Sequence, residues 1–276
     1  MTVKTYWLLI NEGTRYKSVS DGPEAIYNQL IQDDKSSIEW NHDRKHDISL
    51  DLCNANPYTE AYKCLLGLRQ SSLTTDKSLI LGGDRSSSVL AIGTSLELNS
   101  DTKVVWIDAH GDISTPDQSK TGYKHEMPLA ALTGLFQFEN IQQKLKFENI
   151  CFVGIRKLKP HEWKLLNDKQ MKYFNATDCH TNFDRVCNEL KSWIGNSQVH
   201  ISIDIDGLDP AIAPGTYFRV PDGITEPQIM QLIEMLRQTD WTTLEFCELD
   251  VTQDASDSRT ARLCADIAKR LFENRN

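Results

Sequence analysis

Two stretches decide how this chain is read: Val104-Val-Trp-Ile-Asp-Ala-His-Gly-Asp112 and Ile201-Ser-Ile-Asp-Ile-Asp-Gly-Leu208. Each begins as an apolar run of the kind that a sheet buries on both faces. Each then ends on ligating groups: Asp108, His110 and Asp112 in the first, Asp204 and Asp206 in the second. Alternate residues of an extended segment point the same way, so Asp-x-His-x-Asp and Asp-x-Asp aim several donors to one side. A lone strand-end aspartate would more simply cap a loop. Aspartates gathered in one place repel one another unless a cation neutralises them. Carboxylate and imidazole together suit a borderline divalent ion such as Mn²⁺. The two stretches therefore read as a metal site at the carboxyl ends of two buried strands.

Strand-like runs recur along the chain, over 6–10, 78–81, 103–107, 149–153, 199–203 and 244–249. Helical patterns lie between them. Segment 57–68 carries Tyr58, Ala61, Leu65 and Leu68 at helical spacing, and 126–135 is a second candidate. Segment 183–194 stops at Gly195. Thr225-Glu-Pro-Gln228 opens a helix over 229–236 with a capping-box pattern. Leu263, Ile267 and Leu271 mark the buried face of a last helix. Alternation of strand and helix predicts a three-layer α/β/α sandwich around a mostly parallel sheet, as one domain over 1–276. Ligands of such sheets bind beyond the carboxyl ends of the strands, where both acidic groups fall. Residues 33–50 are polar and irregular, and predict a long surface loop.

Composition narrows the function classes. The chain has 276 residues, 39% hydrophobic and 25% charged, as in ordinary soluble globular proteins. A net charge of -9 speaks against a nucleic-acid surface. No apolar run approaches the roughly 20 residues of a membrane span, so no membrane partner is expected. The N-terminal run lacks a small-residue cleavage site and reads as a core strand rather than a leader. The seven cysteines include no C-x-x-C pair, and several sit in apolar runs. They predict reduced, buried thiols and a cytoplasmic location.

The chain resembles the ureohydrolase family, which includes arginases, agmatinases and formimidoylglutamases. The motifs that carry the resemblance are Leu81-Gly-Gly-Asp-Arg-Ser86, Trp106-Ile-Asp-Ala-His-Gly-Asp-Ile113 and Ser202-Ile-Asp-Ile-Asp-Gly-Leu-Asp-Pro210 with Ala213-Pro-Gly-Thr216. Glu248, near Thr260-Ala-Arg-Leu263, completes them. The resemblance implies hydrolysis of a guanidino compound, arginine or a close relative, to urea and an amine. It implies a binuclear Mn²⁺ site that activates hydroxide, since metal ions lower the pKa of bound water. Asp108 and Asp204 would bridge the ions, His110 and Asp206 would complete one, and Asp112 would bind the other and orient the hydroxide. His125 would shuttle a proton, a role suited to an imidazole near neutral pH. Glu248 would pair with the substrate guanidinium. Ser114, Thr121 and Glu162 would bind the far end of the substrate. A homo-oligomer, trimer or hexamer, is also implied.

The chain departs from that pattern in three places. Arg85 stands where the family has a histidine ligand, and a guanidinium does not ligate metals. One metal, a crippled pair or none would follow if it enters the site, and an intact site with water if it turns away. A catalytically impaired relative with a binding role, or a formimino-amino-acid hydrolase, is the alternative reading. Lys159 stands where an acid would greet the α-ammonium of arginine. Tyr217-Phe-Arg219 replaces small residues and adds bulk at the pocket mouth.

Overall fold

All six apolar runs become strands, and each helical pattern becomes a helix. The computed structural model describes residues 2–32, 38–44, 47–71, 77–141 and 144–273. Its strands are β1 (Thr2–Leu8), β2 (Glu39–Asn41), β3 (Ser78–Gly82), β4 (Lys103–Ile107), β5 (Ile150–Ile155), β6 (Lys172–Asn175), β7 (Gln198–Asp204) and β8 (Asp240–Cys247). They form one sheet in the order β2-β1-β3-β8-β7-β4-β5-β6, with every neighbouring pair parallel. The helices are α1 (Gly22–Gln32), α2 (Pro57–Ser71), α3 (Ser88–Leu98), α4 (Pro128–Leu132), α5 (Pro160–Asp168), α6 (Ala176–Thr181), α7 (Phe183–Ile194), α8 (Glu226–Leu236) and α9 (Arg259–Phe272).

The two-residue period of the strands sorts the core into two faces. Leu81, Ile107, Ile203 and Phe246 pack with Ile26 and Leu30 of α1, Leu190 of α7, Ile229 of α8 and Ile267 of α9. Ile80, Trp106 and Phe152 point the other way, toward Leu65 of α2, Ile92 of α3, Leu129 of α4 and Leu166 of α5. Both faces are covered, which makes the three-layer α/β/α sandwich.

Register places the site. Leu81, Phe246, Ile203 and Ile107 form one row across β3, β8, β7 and β4. Asp204 and Asp108 come immediately after this row, on adjacent strands. β3 and β4 are consecutive strands along this stretch of sequence, yet stand on opposite sides of β8 and β7. Such a reversal opens a crevice at the strands' carboxyl ends.

Differences from the sequence reading lie at the margins. β1 starts at Thr2 rather than Tyr6, because Thr2 and Lys4 interrupt the apolar run without leaving the strand. β2 falls inside the expected loop of 33–50, of which 33–37 and 45–46 lie outside the described residues. β2 and β6 are edge strands, short and polar, with the composition that protects an edge from pairing further. The helix expected over 126–135 is a single tight turn at Lys124–Glu126 followed by α4. Pro128 cannot donate a backbone hydrogen bond and so starts a new helix. Five cysteines are buried, Cys53 and Cys64 are exposed, and all seven are free. Among the described residues no helix is long and apolar enough to cross a membrane.

Candidate metal centre and active site

The loops beyond the four central strands hold their acids by short backbone contacts. Asp108 Oδ1 accepts from the N–H of His110 at 2.7 Å, and Asp204 Oδ1 from that of Asp206 at 3.0 Å. The N–H of Ala109 donates to Asp206 Oδ1 at 3.1 Å, which ties the two loops together. Close approach demands glycine twice. A Cβ on Gly83 would stand 2.0 Å from the carbonyl oxygen of Ile10, and one on Gly207 would stand 2.8 Å from the nitrogen of Asp108. Asp112 and Glu248 adopt left-handed backbone, with φ of 44° and 64°. Non-glycine residues rarely do so, and these two of the six instances among the described residues line the same cavity.

Two groups of ligating atoms result, each within 4.8 Å internally: Asp108, His110 and Asp206, and Asp108, Asp112 and Asp204. His110 Nδ1 lies 3.0 Å from Asp206 Oδ2 and 3.6 Å from Asp108 Oδ1. Burial works against charge on every member. Burial and the neighbouring carboxylates push Asp112 and Asp204 far up. Burial acts on Asp206 too, but the charge and hydrogen bond of His110 hold it below the usual carboxylate range. His110 is pushed up in return by Asp206 and Asp108, against its own burial. Buried acids in mutual repulsion are what a cation would relieve.

Arg85 enters the second group. Its Nη2 lies 3.1 Å from Asp108 Oδ2, and its Nε 3.6 Å from Asp204 Oδ2 and 3.9 Å from Asp112 Oδ2. The side chain is wholly buried, with its guanidinium carbon 3.5 Å from the ring centre of Trp106. The sequence left open whether this arginine turns away, and in the structure it does not. The second group therefore does not fit a metal ion, because a guanidinium already stands among its oxygens. The first group fits one: its donors converge, it holds no Lys or Arg, and His110 faces an open cavity.

That cavity measures about 380 Å³ and is lined by Arg85, His110, Asp112, His125, Glu126, Lys157, Leu158, Lys159, Glu162, Asp204, Asp206, Phe218 and Glu248. His125 Nδ1 and Glu248 Oε1 are 3.2 Å apart on its wall. Burial lowers the affinity of His125 for a proton. The hydrogen bond and charge of Glu248, with Asp112 and Asp84, reverse this and push the ring up to about 9. Glu248 Oε1 also accepts the backbone N–H of Arg85 at 2.8 Å.

The residues expected at the substrate's far end divide. Glu162 lines the cavity and accepts from the buried Ser114 hydroxyl at 3.0 Å. Thr121 is exposed, donates to Glu126 at 2.7 Å and does not line the cavity. Lys159 turns inward, with Nζ 2.6 Å from Glu126 Oε2 and 3.0 Å from Ser114 Oγ. Of the three bulky residues 217–219, Phe218 faces the cavity beside His125, with ring centres 5.5 Å apart. Tyr217 stacks on Tyr16 outside, and Arg219 turns away to backbone carbonyls of Pro214 and Gln253. Sequence reading missed the polar layer beneath the centre. Ser202 donates to Glu245 at 2.6 Å, and Glu245 pairs with His200 at 3.2 Å, all fully buried.

The chain is similar to known proteins in sequence and fold. The chain is 30% identical to the arginase of Plasmodium falciparum over 221 residues, 70% of this chain and 54% of that protein. It thus spans about half of that relative's length. It is 34% identical to the arginase of Bacillus caldovelox over 206 residues, 70% of this chain and 68% of the other. The structure superposes on that of Bacillus subtilis arginase with a TM-score of 0.87 and 28% identity, covering 100% of this chain and 99% of the other. The match to the arginase family extends over residues 10–273 and takes in each strand end just described, so the chain belongs to that family.

Proposed function

We propose that this chain hydrolyses a guanidino compound to urea and an amine. The observation that carries the reading is the group of Asp108, His110 and Asp206 at the floor of a cavity whose wall holds the His125–Glu248 pair. Asp108, His110 and Asp206 would hold a divalent ion of the Mn²⁺ type. Such an ion, when bound, lowers the pKa of water into the neutral range and so supplies the nucleophile that a weakly electrophilic guanidinium carbon needs.

The chain's own residues do the rest. Glu248, held by the backbone of Arg85, presents its carboxylate to the substrate guanidinium. His125 is charged at neutral pH, so it gives its proton to the departing amine nitrogen as the C–N bond breaks. Water supplies the oxygen of urea. Phe218 covers His125 and helps exclude bulk water.

The inward ammonium of Lys159 meets the substrate's far end together with Ser114 and Glu162. Held between Glu126 and Ser114, it disfavours an α-ammonium by like charge and offers a cation to a carboxylate. Guanidino acids without an α-amino group are accordingly favoured over arginine. A urea assay with Mn²⁺ across arginine, agmatine and guanidino acids of several lengths tests this, with release expected from at least one acid. No urea from any of them would favour the second reading, a catalytically impaired relative with a binding role. Arg85 among the carboxylates is the observation on its side.

A further inference from the structure

We infer that Arg85 is a permanent, covalently supplied substitute for one of two cations, so that the chain takes a single divalent ion, on the His110 side. The inference rests on the metal site of the reading above, though not on its activity.

Two groups of donors share Asp108, and only one of them contains a fixed positive charge. Each of the three carboxylates of that group, Asp108, Asp204 and Asp112, turns one oxygen toward the Arg85 guanidinium, at 3.1, 3.6 and 3.9 Å. Hard cations need oxygens at roughly 2.0–2.6 Å, converging on one point. The guanidinium stands where those oxygens converge, and its charge would repel a dication beside it.

Nor is the guanidinium free to swing out. Nη1 donates to Ser202 Oγ at 2.9 Å and to Cys247 Sγ at 2.8 Å. One face lies against Trp106 at 3.5 Å. Beneath, Glu245 accepts from Ser202 and adds a further, fully buried carboxylate to the surroundings. Contacts from β4, β7 and β8 thus fit this cation, and each would be lost if the side chain left. The His110 side is different. Its imidazole is 23% exposed and reaches the cavity, so an ion can enter there from solvent.

The test is metal stoichiometry, independent of activity. Protein stripped with a chelator is titrated with Mn²⁺ by calorimetry, and the bound metal is counted by elemental analysis after desalting. Wild type is expected to hold one ion per chain, and Arg85→His two. Asp206→Asn should empty the site, whereas Asp112→Asn should keep one ion, because Asp112 serves only the guanidinium side. The Asn variant suits the left-handed backbone there, so it guards against an Arg85→His protein that fails to fold. Two ions in wild type, none in wild type, no gain in folded Arg85→His, or loss of the ion in Asp112→Asn would each overturn the inference. One ion without urea release would leave it standing and overturn the functional reading. Urea release with two ions would do the reverse.

Discussion

His125 Nδ1 lies 3.2 Å from Glu248 Oε1, and both side chains are buried at the wall of the cavity. Burial opposes the charged ring, but Glu248, Asp112 and Asp84 raise it to about 9. Nuclear magnetic resonance titration of the metal-free protein should find the ring still charged at pH 8. In Glu248→Gln the transition should move down toward about 6.5, the ordinary histidine value. The pair's contribution to stability is whole below about pH 6.5, where folded and unfolded rings are both charged. It is lost as pH rises through about 9. The difference in unfolding free energy between wild type and Glu248→Gln, on the order of 3 kcal/mol at about pH 6, should shrink across that window. A pH-independent difference would contradict the pairing.

Divalent metal should stabilise the fold through the His110 side. With free Mn²⁺ at about a hundredfold over its Kd, the wild-type chain should gain about 2.7 kcal/mol in unfolding free energy. His110→Ala should gain almost nothing, read as Tm in a calorimetric scan with and without the ion. An equal gain in both would place the ion elsewhere.

How far the sequence was legible depended on burial. The central strands are covered on both faces, so 104–107 reads as an unbroken apolar run, Val199, Ile201 and Ile203 alternate along the other strand, and the acidic ends of both stood out. β6 is only four residues long at an edge, with polar Lys172 and Asn175 at its ends, and gave no such signal. Arg85 was visible as an anomaly, yet its orientation depends on Trp106, Ser202 and Cys247, which come together only when β4, β7 and β8 pair. His200, Ser202 and Glu245 carry polar groups within buried strands and resemble a solvated face in sequence. Lys159 turns inward because Glu126 and Ser114, both from the long connection after β4, receive it.

Lys159 should set the preference at the far end of the substrate. Lys159→Asp removes the ammonium and restores an acid at that place. The ratio of kcat/KM for arginine to that for a guanidino acid should rise by about tenfold or more, equivalent to about 1.4 kcal/mol. An unchanged ratio would mean that Lys159 does not meet the substrate.

Gly83 should tolerate no side chain. Its missing Cβ faces the Ile10 carbonyl oxygen at 2.0 Å, a backbone atom that cannot step aside cheaply. Gly83→Ala should lose about 1–3 kcal/mol, measured by denaturant unfolding. It should also displace Arg85, since Gly83 accepts the Glu248 N–H and Glu248 in turn anchors the Arg85 backbone. Wild-type stability in that variant would show that the turn after β3 is looser than described.

The central claim is that water is placed on a guanidinium carbon in this cavity, and isotopic labelling tests it most directly. The Mn²⁺-loaded chain, incubated with a guanidino acid in water enriched in heavy oxygen, should release urea carrying the label. Urea from Asp206→Asn should fall to background. Released urea without the label, or no urea from any guanidino compound at full metal occupancy, would contradict the account.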